Sequence, residues 1–259
     1  MSRSWRVAIT RTQPAAQRLA ACLQALKLRT VLTPALVIES SEAWQQVRPL
    51  LEPDLVVVLS QHAAQRYLQS PCLRPDVSHV AVGPATAACL RGTSPPQAGE
   101  SAVADVITAE QANSEGVLNM TQVATLTAQQ VVWLVSGEGG RTLLAEALQA
   151  RQIRVVKLPF YRRQVAPMHE LRAQQVDIIE VSSQAALDAL LANGAGPQAS
   201  PGQPAIEALL DTPLIVPSGR LNDLALAAGF KTVHCASSAV AEVLAEEMAA
   251  LMAQAQTEL

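Results

Sequence analysis

The chain has 259 residues, 49% of them hydrophobic and 16% charged, with a formal net charge of −3 at pH 7. That length suits one large domain or two ordinary ones, and the composition excludes a disordered or collagen-like chain. Its longest apolar runs, such as 55–59, fall far short of the roughly 18 residues a membrane helix needs, and an acidic balance speaks against the clustered basic footprint of a nucleic-acid-binding protein.

Taken from the start, MSRSWRVAITRT places Arg3, Arg6 and Arg11 across any apolar stretch, so no secretory signal is read there and the cytoplasm is the expected compartment. Short apolar runs follow at 6–10, 30–33, 55–60, 79–82, 131–136, 154–158, 177–182, 213–217 and 232–235. Between them lie stretches of helical periodicity at 14–26, 61–69, 85–91, 140–150, 184–193, 221–228 and 239–254. This alternation predicts an α/β fold, a parallel sheet covered by helices. Most of the strands run into a polar or glycine turn and then an Ala/Leu-rich helix, and in open sheets of this kind ligands sit at those carboxyl ends. Cys22, Cys72, Cys89 and Cys235 form no CxxC pair. Neither a disulfide framework nor a zinc site is therefore expected, and the four read as small buried apolar residues. Of the 19 basic residues only Lys27, Lys157 and Lys231 are lysines. The arginine excess reads as a compositional bias or as a preference for an anionic ligand, whose carboxylate or phosphate the guanidinium fork matches.

The chain repeats itself. LQALKLRTVLTPAL at 23–36 returns as LQARQIRVVKLPFY at 148–161, with Pro34 falling on Pro159. DLVVVLSQHAAQRYL from Asp54 returns as DIIEVSSQAALDALL from Asp177, with the same acid, strand and Ser-Gln turn. Two matched pairs at nearly one offset argue for a duplicated α/β unit, hence two lobes with a ligand cleft between them. The extended segments after Pro34 and Pro159 are candidate hinge strands, 34–39 and 159–165. The first lobe then holds 1–36 and 167–259, the second is the insert 40–163, and 194–204 reads as a surface loop of the first.

Most familiar catalytic constellations are missing. The closest glycine-rich turn, Ser136-Gly137-Glu138-Gly139-Gly140-Arg141, lacks the lysine and hydroxyl of a phosphate loop. It still follows a strand and opens a helix, so its N–H groups and Arg141 suit an anion, or it serves only as a tight connector. Comparable turns are Thr10-Arg11-Thr12, Ser60-Gln61-His62, Gly83-Pro84-Ala85-Thr86, Ser182-Ser183-Gln184 and Ser218-Gly219-Arg220. Singly, each is an ordinary helix cap; together they would form a donor-lined surface for several carboxylates. His62 has no acid or cysteine nearby to complete a triad, His79, His169 and His234 read as surface or packing residues, and metal-ligand spacing is absent. Tyr161, one of only two tyrosines, stands beside Arg162 and Arg163 on a hinge strand. Its phenol could donate a proton or hydrogen bond to a leaving oxygen, or simply pack the hinge.

In order along the chain, VAITRTQPAAQRLAACLQALKLRTVLTPALVI, LVVVLSQHAAQRYL, VAVGPATAACL, NSEGVLNM, WLVSGEGGRTLLAEALQARQIRVVKLPFYRR, DIIEVSSQAALDALL and VPSGRLNDLALAAGF resemble the uroporphyrinogen-III synthases over nearly the full length. The resemblance implies two flavodoxin-like α/β lobes with parallel sheets, joined by a two-stranded β-ladder. It implies a cyclising lyase of haem, sirohaem and cobalamin biosynthesis. Such an enzyme closes hydroxymethylbilane, a linear tetrapyrrole with many carboxylates, to uroporphyrinogen III with inversion of ring D and loss of water. It implies no metal and no organic cofactor, and it makes hydroxymethylbilane synthase a candidate for transient handover of the substrate. The helices show no sustained heptad seam, so a monomer is expected.

By the same resemblance Tyr161 matches the tyrosine that assists departure of the ring A hydroxyl. Thr86, Ser60, Ser183 and Ser218 match cleft hydroxyls, and Arg11 and Arg141 match turn arginines, with Arg11 serving structure as much as substrate. Gln61, His62, Gly83, Ser136, Gly137, Gly140, Gln184 and Arg220 complete the substrate-binding set as members of the same turns. Leu221 departs from the family, many of whose members carry Thr there. The competing readings are a non-enzymatic two-lobe small-anion-binding protein, against which the missing signal sequence counts, and a flavodoxin-like nucleotide-binding module, which the missing phosphate fingerprint weakens.

Overall fold

A computed structural model describes residues 5–46, 51–92, 103, 105–140, 142–168, 171, 175–195 and 206–257. The chain divides into two compact units, Met1–Val37 with Gln164–Leu259, and Ile38–Arg163. Both boundaries fall inside strands, β3 (Leu36–Ser40) and β8 (Arg154–Val165). These two are sheet neighbours. Ala166 N–H donates to Ala35 C=O and Ser41 N–H to Phe160 C=O, so the two segments run in opposite directions.

In the first unit β1 (Arg6–Ile9), β2 (Arg29–Leu32), β9 (Ile178–Glu180), β10 (Leu214–Val216) and β11 (Val233–Cys235) form a parallel sheet in the order β11-β10-β9-β1-β2. Because side chains alternate across a strand, Val7 and Ile9 face α1 (Ala15–Ala25) and α11 (Ala241–Thr257), packing on Leu19, Leu23, Leu244 and Met248. Ala8 faces the other layer, where α8 (Gln184–Ala195) and α10 (Gly219–Ala227) supply Leu187, Leu190, Leu221 and Ala225. Helices on both faces are why these strands read as continuous apolar runs.

The second unit has β4 (Leu55–Val58), β5 (His79–Ala81), β6 (Val106–Thr108) and β7 (Val131–Gly137) with β8, parallel in the order β8-β7-β4-β5-β6, and β3 at the β8 edge. Val56 and Val58 pack against α3 (Gln61–Leu68) and α4 (Pro84–Leu90), while Leu55 and Val57 face α5 (Ser114–Leu118), α6 (Thr121–Ala124) and α7 (Leu143–Ala150). Two short helices, α2 (Ala43–Gln46) and α9 (Ile206–Asp211), complete the described elements.

The repeat has a structural footprint. Asp177 N–H donates to Arg6 C=O at 2.9 Å while its carboxylate accepts Arg6 N–H at 2.8 Å. Asp54 grips Val131 in the same way, at 2.8 and 2.7 Å. Helix α1 ends with Lys27 at φ 63°, Lys27 N–H on Gln24 C=O and Leu28 N–H on Leu23 C=O. Helix α7 ends identically, with Gln152 at φ 62°, Gln152 N–H on Gln149 C=O and Ile153 N–H on Leu148 C=O. Both are Schellman caps built on a left-handed residue other than glycine. Matching β1 to β7, β2 to β8 and β9 to β4 gives the two sheets one spatial order, the flavodoxin-like 2-1-3-4-5. Each sheet thus takes its first two positions from one copy of the repeat and the rest from the other.

The alternation of apolar runs located the sheets, with three differences. The strand expected at 154–158 continues as β8 to Val165, through an irregularity opposite Ser136 and Gly137. Strand β6 lies outside the expected runs, as do helices α2, α5, α6 and α9, which have too few residues to generate a helical period. The four cysteines are not uniformly buried: Cys22, Cys72 and Cys89 are half-buried and Cys235 is exposed, because β11 is an edge strand. His169, Arg141 and most of the 194–204 loop lie outside the described residues.

Candidate active site

Parallel strands deliver all their carboxyl ends to one edge of a sheet, so within each unit the turns after them are neighbours. In the second unit this edge brings together Ser60, His62, Gly137 and Tyr161. Ser60 ends β4 as an extended N-cap of α3, and its Oγ accepts Ala63 N–H at 3.2 Å. With that lone pair engaged, the hydroxyl proton is free to donate to Tyr161 Oη at 3.2 Å. Tyr161, 3% exposed on β8, packs its ring against Gly137 of β7. A Cβ at Gly137 would stand 2.5 Å from Tyr161 Cζ, so only glycine leaves room for the ring. Gly137 thereby acts first as the seat of Tyr161.

Arg163 Nη2 donates to the same phenolic oxygen at 3.1 Å, its guanidinium carbon 5.5 Å from the ring centroid. A phenol oxygen that accepts from both Ser60 and Arg163 must direct its own proton elsewhere. Tyr161 is therefore oriented as a donor. The His62 ring stands edge-on to Tyr161, 5.8 Å between centroids. Burial, then the Arg66 and Arg163 charges, push His62 below its ordinary pKa, which leaves it neutral at pH 7.

Around this centre lie the remaining turn residues of the unit. Gln61 opens α3, and Gly83 caps α4 in an extended conformation with Pro84 next. Thr86 is buried beneath that first turn. Ser136 Oγ donates to Gly137 C=O, Glu138 N–H donates to Tyr161 C=O at 2.7 Å, and the Glu138 carboxylate takes the Ser41 hydroxyl. A cleft of about 310 Å³ opens along this turn, lined by Ser136, Gly137, Glu138, Gly140, Thr142 and Lys157 with apolar neighbours.

At the corresponding edge of the first unit Ser183 Oγ accepts Ala186 N–H at 3.2 Å and Ser218 Oγ accepts Leu221 N–H at 3.4 Å. Arg220 Nη2 donates to Gln184 Oε1 at 2.8 Å, tying the two turns together. Leu221 is buried in the core, which accounts for an apolar residue there. Arg11 turns inward: Nε donates to Glu180 Oε1 at 2.6 Å and Nη1 to Ala239 C=O at 2.8 Å, with the side chain 9% exposed. Burial pushes the Glu180 carboxyl up against the pull of Arg11. Sequence reasoning passed over Glu180, whose one signal is an acid inside the apolar run DIIEVSS. It also passed over Arg66, and it set Arg163 beside Tyr161 in sequence alone; the β8 and α3 geometry brings both guanidinium groups to the ring. Among the described residues no three His, Cys, Asp or Glu side chains are placed to hold a metal, and no helix is long and apolar enough to cross a membrane.

The fold recurs in solved structures. A mutant uroporphyrinogen III synthase from the extremely thermophilic bacterium Thermus thermophilus superposes with a TM-score of 0.56 at 20% identity, over 96% of this chain and 99% of that one. Uroporphyrinogen-III synthetase from Helicobacter pylori gives 0.57 at 12% identity, over 95% and 99%. These likenesses speak to the fold. The sequence pattern of the family described as Uroporphyrinogen-III synthase HemD matches residues 17–246. With that pattern spanning nearly all of both units, the chain belongs to the uroporphyrinogen-III synthase family.

Proposed function

We propose that the chain cyclises hydroxymethylbilane to uroporphyrinogen III, and that Tyr161 is the proton donor for the departing hydroxyl. The observation that carries this is the phenol oxygen accepting from two donors, Ser60 and Arg163, which leaves its own proton uncommitted to either. The hydroxymethyl C–O bond breaks, hydroxide takes the Tyr161 proton and leaves as water, and the pyrrole nitrogen lone pair supplies the azafulvene cation. That carbon bonds to the substituted carbon of ring D, giving a spiro intermediate. The bond from the ring C methylene to the same carbon then breaks and re-forms at the free α carbon on the other side of the ring D nitrogen. The proton lost there returns to the phenolate, so one water is lost overall.

The electron-rich pyrrole drives ionisation, so the protein chiefly selects a conformation, and orientation is the larger part of catalysis. No cofactor is required by this chemistry. The strand-end donors assigned to the substrate carboxylates are Gln61, His62, Gly83, Thr86, Gly137, Gly140 and Arg141 in one unit and Ser183, Gln184, Ser218 and Arg220 in the other, while the Ser60 and Ser136 hydroxyls donate within the protein, to Tyr161 Oη and Gly137 C=O, and act through those contacts. Arg11 enters as the group that holds its turn through Glu180. A bilane that closes unaided to the symmetrical isomer favours direct transfer, so the reading includes a transient handover from hydroxymethylbilane synthase in the cytoplasm. Segments 34–39 and 159–165 are read as hinge strands between lobes 1–36 with 167–259 and 40–163. The test couples a bilane-forming deaminase to this protein and resolves the isomers by chromatography. Isomer III as the main product is expected; isomer I alone would contradict the proposal.

A further inference from the structure

Three arginines lie at or beside the Tyr161 ring, and they are held very differently. Arg66 commits Nε to Ser40 Oγ, Nη1 to His62 C=O and Nη2 to Ile38 C=O, at 3.2, 3.1 and 3.3 Å. Arg162 commits Nε and Nη2 to Glu39 Oε2, at 3.1 and 3.0 Å. Arg163 is exposed and makes one hydrogen bond, to the phenol oxygen, and no carboxylate joins it among the described residues. The rest of its N–H fork has no acceptor among the described residues, and it is the guanidinium that hydrogen-bonds the phenol, whereas Arg66 over the same ring has its N–H groups committed. His62 at the ring is neutral and cannot answer a carboxylate in the same way.

We infer that Arg163 receives one acetate or propionate carboxylate of the bilane and, through the same guanidinium, fixes the Tyr161 phenol as donor. This rests on the cyclisation proposed above. A guanidinium is planar and pairs with carboxylate through two parallel N–H bonds, so an anion on its outer edge sets the plane of the whole group. The inner Nη2 is then held on Tyr161 Oη. Arg163 is thus a positioning residue, and binding of a remote carboxylate is converted into alignment of the departing hydroxyl, a use of binding energy that appears in kcat as well as KM.

The test measures kcat and KM separately in the coupled assay for Arg163→Gln, Arg163→Lys, Tyr161→Phe and the Tyr161→Phe/Arg163→Gln double variant. Arg163→Gln is expected to raise KM and lower kcat about tenfold each, the effect of losing a charge-assisted hydrogen bond. Arg163→Lys keeps the charge and should recover most of KM but little of kcat. In the Tyr161→Phe background, Arg163→Gln should leave kcat where it is and still raise KM. Wild-type constants in Arg163→Gln, or kcat losses that multiply in the double variant, would overturn the inference. Equal losses in the Gln and Lys variants that track a lowered Tm would mark a merely structural arginine and overturn it too. A wild-type chain yielding only isomer I would remove the cyclisation itself, a distinct failure.

Discussion

Asp177 grips the first residue of β1 as Asp54 grips the first residue of β7, and α1 and α7 end in the same left-handed cap. At the other end of those strands the two units part. Where the first unit has Arg11 and Glu180, buried and paired, the repeat places Ser136 and Val57 in the second. Where β8 carries Tyr161 and Arg163, the repeat-equivalent residues on β3 are Leu36, of the first unit, and Ile38, the first residue of the second. The frame of a duplicated unit is held by backbone clamps that every copy needs, and the strand ends are free to diverge. One unit has closed its edge with an internal ion pair; the other carries a phenol there and a guanidinium with no carboxylate partner among the described residues.

The closed edge is the easier to break. Glu180→Ala leaves the Arg11 charge buried without its partner, and unfolding measurements should show a loss of about 3–5 kcal/mol. An Arg11→Met/Glu180→Leu double variant should recover most of it, because an apolar pair can replace a buried ion pair. A mild single variant would mean that the edge is not closed by this pair. The reactive edge breaks differently. Gly137→Ala drives a methyl into the Tyr161 ring, and kcat should fall about a hundredfold, as a displacement of about 1 Å at a reacting group does. Thr12 stands at the repeat-equivalent position in the first unit, so Thr12→Ala should leave kcat within about twofold of wild type. Equal effects at both positions would erase the contrast.

Acid separates the units further. His79 is fully buried; its Nδ1–H donates to Val77 C=O at 2.7 Å, so Nε2 is the acceptor facing Tyr67 Oη at 3.2 Å. Burial pushes the His79 pKa below 6.5. The unfolded chain then takes up a proton that the folded chain refuses. Stability from this group is complete above about pH 6.5 and falls as pH drops below it, by at most about 1.4 kcal/mol per pH unit. Glu180 has the opposite sign, since its raised pKa means the folded first unit binds the extra proton and loses stability as pH rises above about 4.5. Unfolding of His79→Gln followed from pH 7 to 5 should be flatter than wild type; an unaltered slope would remove His79 from the account. The smallest effect should be shared. Lys27→Gly and Gln152→Gly relieve a left-handed residue in each unit and should each raise stability by about 0.5–1 kcal/mol. A gain in one alone would show that the two caps are not equivalent.

What could be read from the sequence follows from range. The α/β class, most strands and the Ser60 and Ser183 caps rest on residues within one strand-turn-helix, and the duplication made several of them visible twice. Arg11 could not be placed that way, because its partner Glu180 lies 169 residues away and joins it only through β1–β9 pairing. Nor could the seat of Tyr161, which needs Gly137 opposite it on β7 and Ser60 from β4.

The central claim is that chemistry resides in the second unit, on a phenol aligned by Ser60 and Arg163. Steady-state turnover of Tyr161→Phe in the coupled assay tests it most directly. The account predicts a kcat ten- to a hundredfold below wild type, the scale of losing one proton-transfer group, with isomer III still formed. Turnover equal to wild type would contradict it.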